Sequence, residues 1–216
     1  MPIPPSTPTP GITLTPNNKV KLSRINNVLL ALIILVNGYV IAGPLLPGLL
    51  FRWDTQSGKR QQLEAKVRSG KTHHRQSSAA PQPNSVVIPS MLLDQPIYEG
   101  TVRDQYQTLD NGIWRWPAGS TPDKGGNTVL IGHRFTYTNP RGVFYFLNKV
   151  KPGDEISVVW SNRNYTYKVV SINEVPPTDT AIEKQSSTPE LTLFTCTPLW
   201  LPKDRLVVVA DLETRP

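Results

Sequence analysis

From residue 85 onward the sequence predicts a single all-β fold, a barrel or a sandwich. Three observations carry that prediction. Short runs rich in β-branched and aromatic residues recur at 86–88, 128–131, 155–160, 165–170, 191–195 and 206–210. Turn-forming sequences punctuate them: Asp-Lys-Gly-Gly-Asn at 123–127, Pro-Gly-Asp at 152–154 and Ser-Asn-Arg-Asn at 161–164. Residues 86–216 are also enough chain to bury a core without covalent staples, and a lone cysteine allows no internal disulfide. Trp160 and Tyr165 flank a four-residue loop, which predicts a hairpin. Helix is expected only in short pieces, near 142–148 and 180–184.

The chain before this domain has a different texture. Residues 1–27 are Pro-, Thr- and Ser-rich at the start, lack an apolar period and are expected to form a disordered tail. Residues 28–51 then run for 24 positions without a charge, long enough to cross a hydrocarbon core of about 30 Å. Pro44 and Pro47 weaken the second half of that run. Val40-Ile41-Ala42 offers compact residues to a signal peptidase, but the long segment before the run favours an uncleaved signal anchor. Residues 52–85 form a basic polar stalk in which Leu63 and Val67, four apart, mark a short helix. The adjacent His73 and His74 are read as solvated, not as metal ligands.

Charge is divided in the same way. Residues 1–85 carry a net +8 and residues 86–216 a net −1, so the overall +7 says nothing about the β-domain. No basic folded patch or nucleic-acid motif is visible, and nucleic-acid binding is set aside. Lys19, Lys21 and Arg24 precede the apolar run while seven further Lys and Arg residues follow it within the stalk, so basic residues alone leave the orientation open.

Cys196 ends the run Leu-Thr-Leu-Phe-Thr at 191–195, with Arg205 nine residues later and Gly132-His133 upstream. A cysteine at the end of a strand is expected to emerge at a barrel rim, whereas most lone cysteines are small buried hydrophobes. A nucleophilic thiolate needs a base or cation beside it and a donor for the oxyanion it creates, and histidine and arginine suit those tasks.

The order of these residues resembles a known family. Thr192-Leu193-Phe194-Thr195-Cys196 is similar to the TLxTC signature of sortases, membrane-anchored cysteine transpeptidases of the bacterial surface. Ile88-Pro89 with Ile97-Tyr98-Glu99-Gly100 resembles the opening strand segment of that family. Leu109-Asp110-Asn111-Gly112, Trp116-Pro117 and 126–134 resemble the approach to its catalytic histidine. Phe146-Leu147, Val150 and 151–156 resemble the passage that follows, and 205–208 the arginine strand. The short interval from Cys196 to Arg205 is closer to the class D and E branches than to class A.

The resemblance implies a closed β-barrel of about eight strands over 86–216, tethered by one transmembrane helix. It implies Cys196 as nucleophile, His133 as general acid and base, and Arg205 as the oxyanion and substrate-carbonyl donor. Thr195, Arg134 and Trp200 are candidate substrate contacts, with Phe135 and Tyr137 beside them; Asp110 and Asp123 read as surface turn residues. No metal or cofactor is expected. The implied partners are secreted proteins with an LPxTG-like sorting signal and an amine acceptor, either a cell-wall precursor or a pilin lysine. That places the domain outside the bacterial cytoplasmic membrane. The rivals are a membrane-tethered cysteine hydrolase without transfer and a non-catalytic surface β-domain.

Overall fold

In the computed structural model, which describes residues 16–72, 83–136, 141–199 and 201–214, the β-rich region closes into one barrel. Its strands are β1 (Ser85–Ile88), β2 (Leu93–Tyr98), β3 (Ile113–Arg115), β4 (Asn127–Ile131), β5 (Glu155–Trp160), β6 (Arg163–Val175), β7 (Glu190–Thr197) and β8 (Asp204–Thr214). Around the barrel they follow the order β1-β2-β3-β4-β7-β8-β6-β5, and β5 pairs with β1 to close it. Two pairings, β2 with β3 and β4 with β7, are parallel; the others are antiparallel. Of the two alternatives left by the sequence, the barrel is the one adopted.

The interior is filled by one side of each strand. Val86, Ile88, Leu130, Ile156, Val158, Leu191, Leu193, Leu206 and Val208 belong to a single buried cluster. Every run expected as a strand is a strand, although β6 and β8 extend well beyond the runs at 165–170 and 206–210. The hairpin is tighter than its sequence suggests. Trp160 pairs with Arg163, leaving a two-residue turn of Ser161 and Asn162, both at positive φ (50° and 62°). That conformation matches strand twist, and an asparagine tolerates it at little cost.

The short helices differ from expectation in place. A 3₁₀ turn spans Leu147–Lys149 in place of helix over 142–148, and another spans Thr180–Glu183 as expected. The first strand pair is followed by a seven-residue helix that composition did not announce, Gln105–Asn111.

The chain divides into two units, Met1–Trp53 and Asp54–Pro216. The first holds nearly all of helix α1 (Pro16–Gln56). This helix begins inside the segment expected as an unstructured tail and continues through Pro44 and Pro47. Its stretch Ser23–Val40 has a mean hydropathy of 1.4 and no burial within the protein, so by length and composition it is a candidate membrane span.

The second unit holds helix α2 (Lys59–Thr72), within the segment expected as a stalk. Leu63 and Val67 bury against Val87 of β1, with Leu92 packed beside them. Lys66 Nζ lies 2.6 Å from Asp94 Oδ2. A Cβ on Gly70 would press on the side-chain amide of Asn164 in β6, which would have to shift. His73 and His74 lie outside the described residues. The seven-residue helix noted above is α3.

Candidate active site

Alternation along three neighbouring strands decides which side chains meet, because successive residues face opposite sides of a sheet. On β7, Leu191 and Leu193 enter the core, so Phe194 and Cys196 face outward. On β8, Leu206 and Val208 face inward and Arg205 and Val207 outward; on β4, Leu130 faces inward and Val129 and Ile131 outward. Val129, Phe194 and Val207 form a second apolar cluster on the outer surface, covered by Trp116, Ile131, Val175 and Ile182. Cys196, the penultimate residue of β7, therefore stands on the outer face near the end of its strand, beside this apolar layer.

Strand register brings the histidine and arginine to it. Antiparallel β7 and β8 pair Cys196 directly with Arg205, whose Nη1 donates to Sγ at 3.4 Å. A guanidinium in that position stabilises negative charge on the sulfur. Parallel β4 and β7 pair Ile131 with Phe194. The Gly132 N–H reaching the Phe194 carbonyl continues that offset past the end of β4, bringing His133, in the loop that follows, towards the level of Cys196.

Several contacts hold that level. Thr195, 2% exposed, donates from Oγ1 to the Gly132 carbonyl at 2.7 Å. Gly132 N donates to the Phe194 carbonyl at 3.4 Å, and Phe144 N donates to the His133 carbonyl at 3.0 Å. A Cβ on Gly132 would come within 2.8 Å of Val143 and Phe144, so glycine lets the 143–144 turn close beneath the histidine.

The imidazole is half-buried, and Asp110 Oδ1 at the end of α3 lies 3.7 Å from its Nε2. Burial pushes the His133 pKa below its usual 6.5, and the Asp110 carboxylate opposes that shift. The neutral imidazole, able to accept a proton, is thereby favoured near neutral pH.

Cys196, His133, Thr195 and Arg205 line one cleft of about 350 Å³. Its apolar wall includes Leu109, Trp114, Trp116, Ile131 and Phe194. The opposite wall is the connection between β6 and β7. Asn127, 2% exposed, fastens it by donating from Nδ2 to the carbonyls of Ile182 and Lys184. Glu183 from that wall faces Arg205. Burial pushes its carboxyl up, and the Arg205 charge partly offsets this.

The remaining sequence candidates fall in different places. Thr195 lines the cleft, but its hydroxyl is committed to the Gly132 carbonyl. Arg134 is not among the lining residues of the cleft. Its Nη1 donates to Thr197 Oγ1 at 2.8 Å, and Thr197 Oγ1 in turn lies 3.2 Å from Glu174 Oε1. Burial lowers the Arg134 pKa, while Glu174, Tyr145 and Cys196 raise it, so this guanidinium lies within the field of the sulfur. Trp200 and Tyr137 lie outside the described residues. Asp110, read as a surface turn residue, proves to be the carboxylate facing His133. Nothing in the sequence singles out Glu174 or Glu183. They reach the site from a strand and a 3₁₀ turn remote in sequence from the three central residues, so no spacing signal exists for them. Among the described residues, no three His, Cys, Asp or Glu side chains converge as a metal site.

A cysteine, histidine and arginine set by strand register on the outer face of a closed eight-stranded barrel define a class of β-barrel proteins with a thiol-centred site. The sortase domain family matches residues 86–213. The chain is 34% identical over 112 residues to sortase D of Bacillus subtilis (strain 168), covering 51% of this chain and 52% of that protein. It is 34% identical over 145 residues to sortase SrtE1 of Streptomyces coelicolor, covering 60% of this chain and 40% of that protein. The chain thus spans about half the length of these curated relatives, or less. Among solved structures, the group B Streptococcus pilus island 1 sortase C2 aligns with a TM-score of 0.53 at 27% identity, over 73% of this chain and 98% of that one. The chain belongs to the sortase family, whose members are cysteine transpeptidases and typically membrane-associated.

Proposed function

We propose that this chain is a membrane-tethered cysteine transpeptidase that cleaves an LPxTG-like sorting signal and passes the acyl fragment to an amine. The observation that carries the reading is the register pairing of Cys196 with Arg205, with His133 just beyond the end of β4 and all three in one cleft. Cys196 gives its thiol proton to neutral His133 and, as thiolate, attacks the carbonyl of the Thr-Gly bond, and the tetrahedral oxyanion is met by the Arg205 guanidinium. His133 protonates the leaving amine, and the thioester carries the acyl group on sulfur. In the second half, the incoming amine attacks the thioester carbonyl, loses protons to His133 and solvent, and expels the thiolate. An apolar wall of Leu, Ile, Phe and Trp side chains suits the Leu-Pro portion of such a signal.

Arg205 is the donor in this scheme because arginine keeps its charge throughout and cannot serve as a base. Thr195 and Arg134 act as supports: the first locks the histidine segment to the cysteine strand, and the second braces Thr197 immediately after the nucleophile. With α1 as a signal anchor, the N-terminus lies in the cytoplasm and the catalytic unit outside, where sorting substrates and wall or pilus amines meet it. The test is incubation of the full chain in detergent with an LPxTG-type peptide and hydroxylamine. Cys196-dependent hydroxamate is expected. Its absence with every sorting-motif variant would sink the reading, and cleavage without any amine transfer would replace it with a hydrolase.

A further inference from the structure

His133 serves two clefts. The first holds Cys196 and Arg205; the second, of about 230 Å³, contains neither. Helix α3 borders both: Gln105 and Tyr106 line the first cleft, Asp110 and Asn111, at its end, line the second, and Leu109 lines both. Gly112, Thr136 and Val143 complete much of the second cleft. The first cleft carries Arg205 together with Asp179 and Glu183. Among the described lining residues of the second, Asp110 is the one with a full formal charge at neutral pH, and its Oδ1 is 3.7 Å from His133 Nε2. The carboxylate is 68% exposed, so it is open to a ligand as well as to the imidazole.

We propose that this second cleft is the binding site for the amine acceptor, with Asp110 recognising its ammonium group. The inference rests on the transpeptidase reading and adds to it the site of the second substrate. The acyl donor occupies the cleft with the nucleophile, so the acceptor must reach the thioester carbonyl from another direction while presenting its nitrogen to the base. The second cleft meets both conditions, because the imidazole is shared. A primary amine is a cation at neutral pH and is held by an exposed carboxylate, here one beside the base in a cleft that Arg205 does not line. The bound ammonium gives one proton to neutral His133. The freed lone pair then forms the new C–N bond to the thioester carbonyl, a second proton passes to solvent, and the C–S bond breaks to return the Cys196 thiolate. Water and other uncharged nucleophiles gain nothing from Asp110.

The experiment is a partition measurement on the full chain in detergent. Each variant receives the same sorting peptide with a fixed mixture of a glycine-terminated peptide amine, cationic at neutral pH, and hydroxylamine, uncharged there. The ratio of amide to hydroxamate is read for each variant, so differences in overall rate cancel. Asp110→Asn should lower that ratio about three- to tenfold, Asp110→Lys should lower it further, and Asp110→Glu should recover most of it. Added salt should depress the wild-type ratio and leave that of Asp110→Asn unchanged. If Asp110 acts only on His133, both products fall together, the ratio stays at its wild-type value, and the acceptor site is overturned. Wild-type protein that forms neither product overturns the transpeptidase reading and this site together.

Discussion

Replacing Thr195 by valine tests how much of the site depends on a single buried hydroxyl. Valine matches threonine in shape, so the change leaves no cavity and removes one donor. In the structure that donor meets the Gly132 carbonyl at 2.7 Å, one residue before His133 and one residue before Cys196 on the partner strand. Losing the bond at a 2% exposed position leaves a buried carbonyl short of a partner, which costs about 1–3 kcal/mol. For a chain of this size that is a fall in Tm of roughly 3–9 °C. The kinetic effect is larger than stability alone implies. Misplacing the base by a fraction of an ångström reduces proton transfer, so kcat should fall about 10- to 100-fold with little change in KM. The assay is thermal unfolding followed by tryptophan fluorescence, paired with acyl-transfer kinetics on the full chain in detergent. Thr195→Ser, which keeps the hydroxyl, should retain most activity. The reasoning is refuted if Thr195→Val is as stable and active as wild type, or if Thr195→Ser is equally damaged.

Other perturbations separate the remaining contributions. Arg205→Lys keeps the charge but loses the planar fork beside Sγ, and should reduce kcat about 10²- to 10³-fold in peptide cleavage assays. Burial holds the His133 pKa below 6.5 and Asp110 pulls it back up, so Asp110→Asn should move the histidine limb of the kcat/KM–pH profile to lower pH. The same signs apply to stability. The contribution tied to neutral His133 is complete above pH 6.5 and is lost as pH falls through the lowered folded value, a trend checked by melting curves across that range. Val67→Ala should destabilise the second unit by about 1–2.5 kcal/mol in chemical denaturation, because Val67 is 1% exposed against Val87. Deleting α2 should cost more and expose Val87, whereas a freely solvated stalk would be deleted without effect.

The positions of the strands were readable because a sheet imposes period two and each turn needs its own residue chemistry, as the runs at 155–160 and 191–195 illustrate. The three-residue β3 carries too little pattern to announce itself, and it is a strand because β2 and β4 pair with it on both sides. Helix α2 was legible only as the pair Leu63 and Val67, since what makes it part of the β-unit is an apolar patch on β1 that no local pattern reveals.

By itself the sequence offered Cys196, His133 and Arg205 as candidates, through the order of motifs that resembles the sortase family, and an apolar segment fit to span a membrane. The segment follows from uncharged length alone, whereas the three candidates needed the motifs as well as residue type. Only the tertiary structure decided that the thiol stands on the outer face, that Asp110 faces the imidazole, that Thr195 is a staple, and that one histidine borders two clefts. Those outcomes depend on register between strands remote in sequence. A shift of one residue in the pairing of β4 with β7 would displace His133 from Cys196 while changing neither residue.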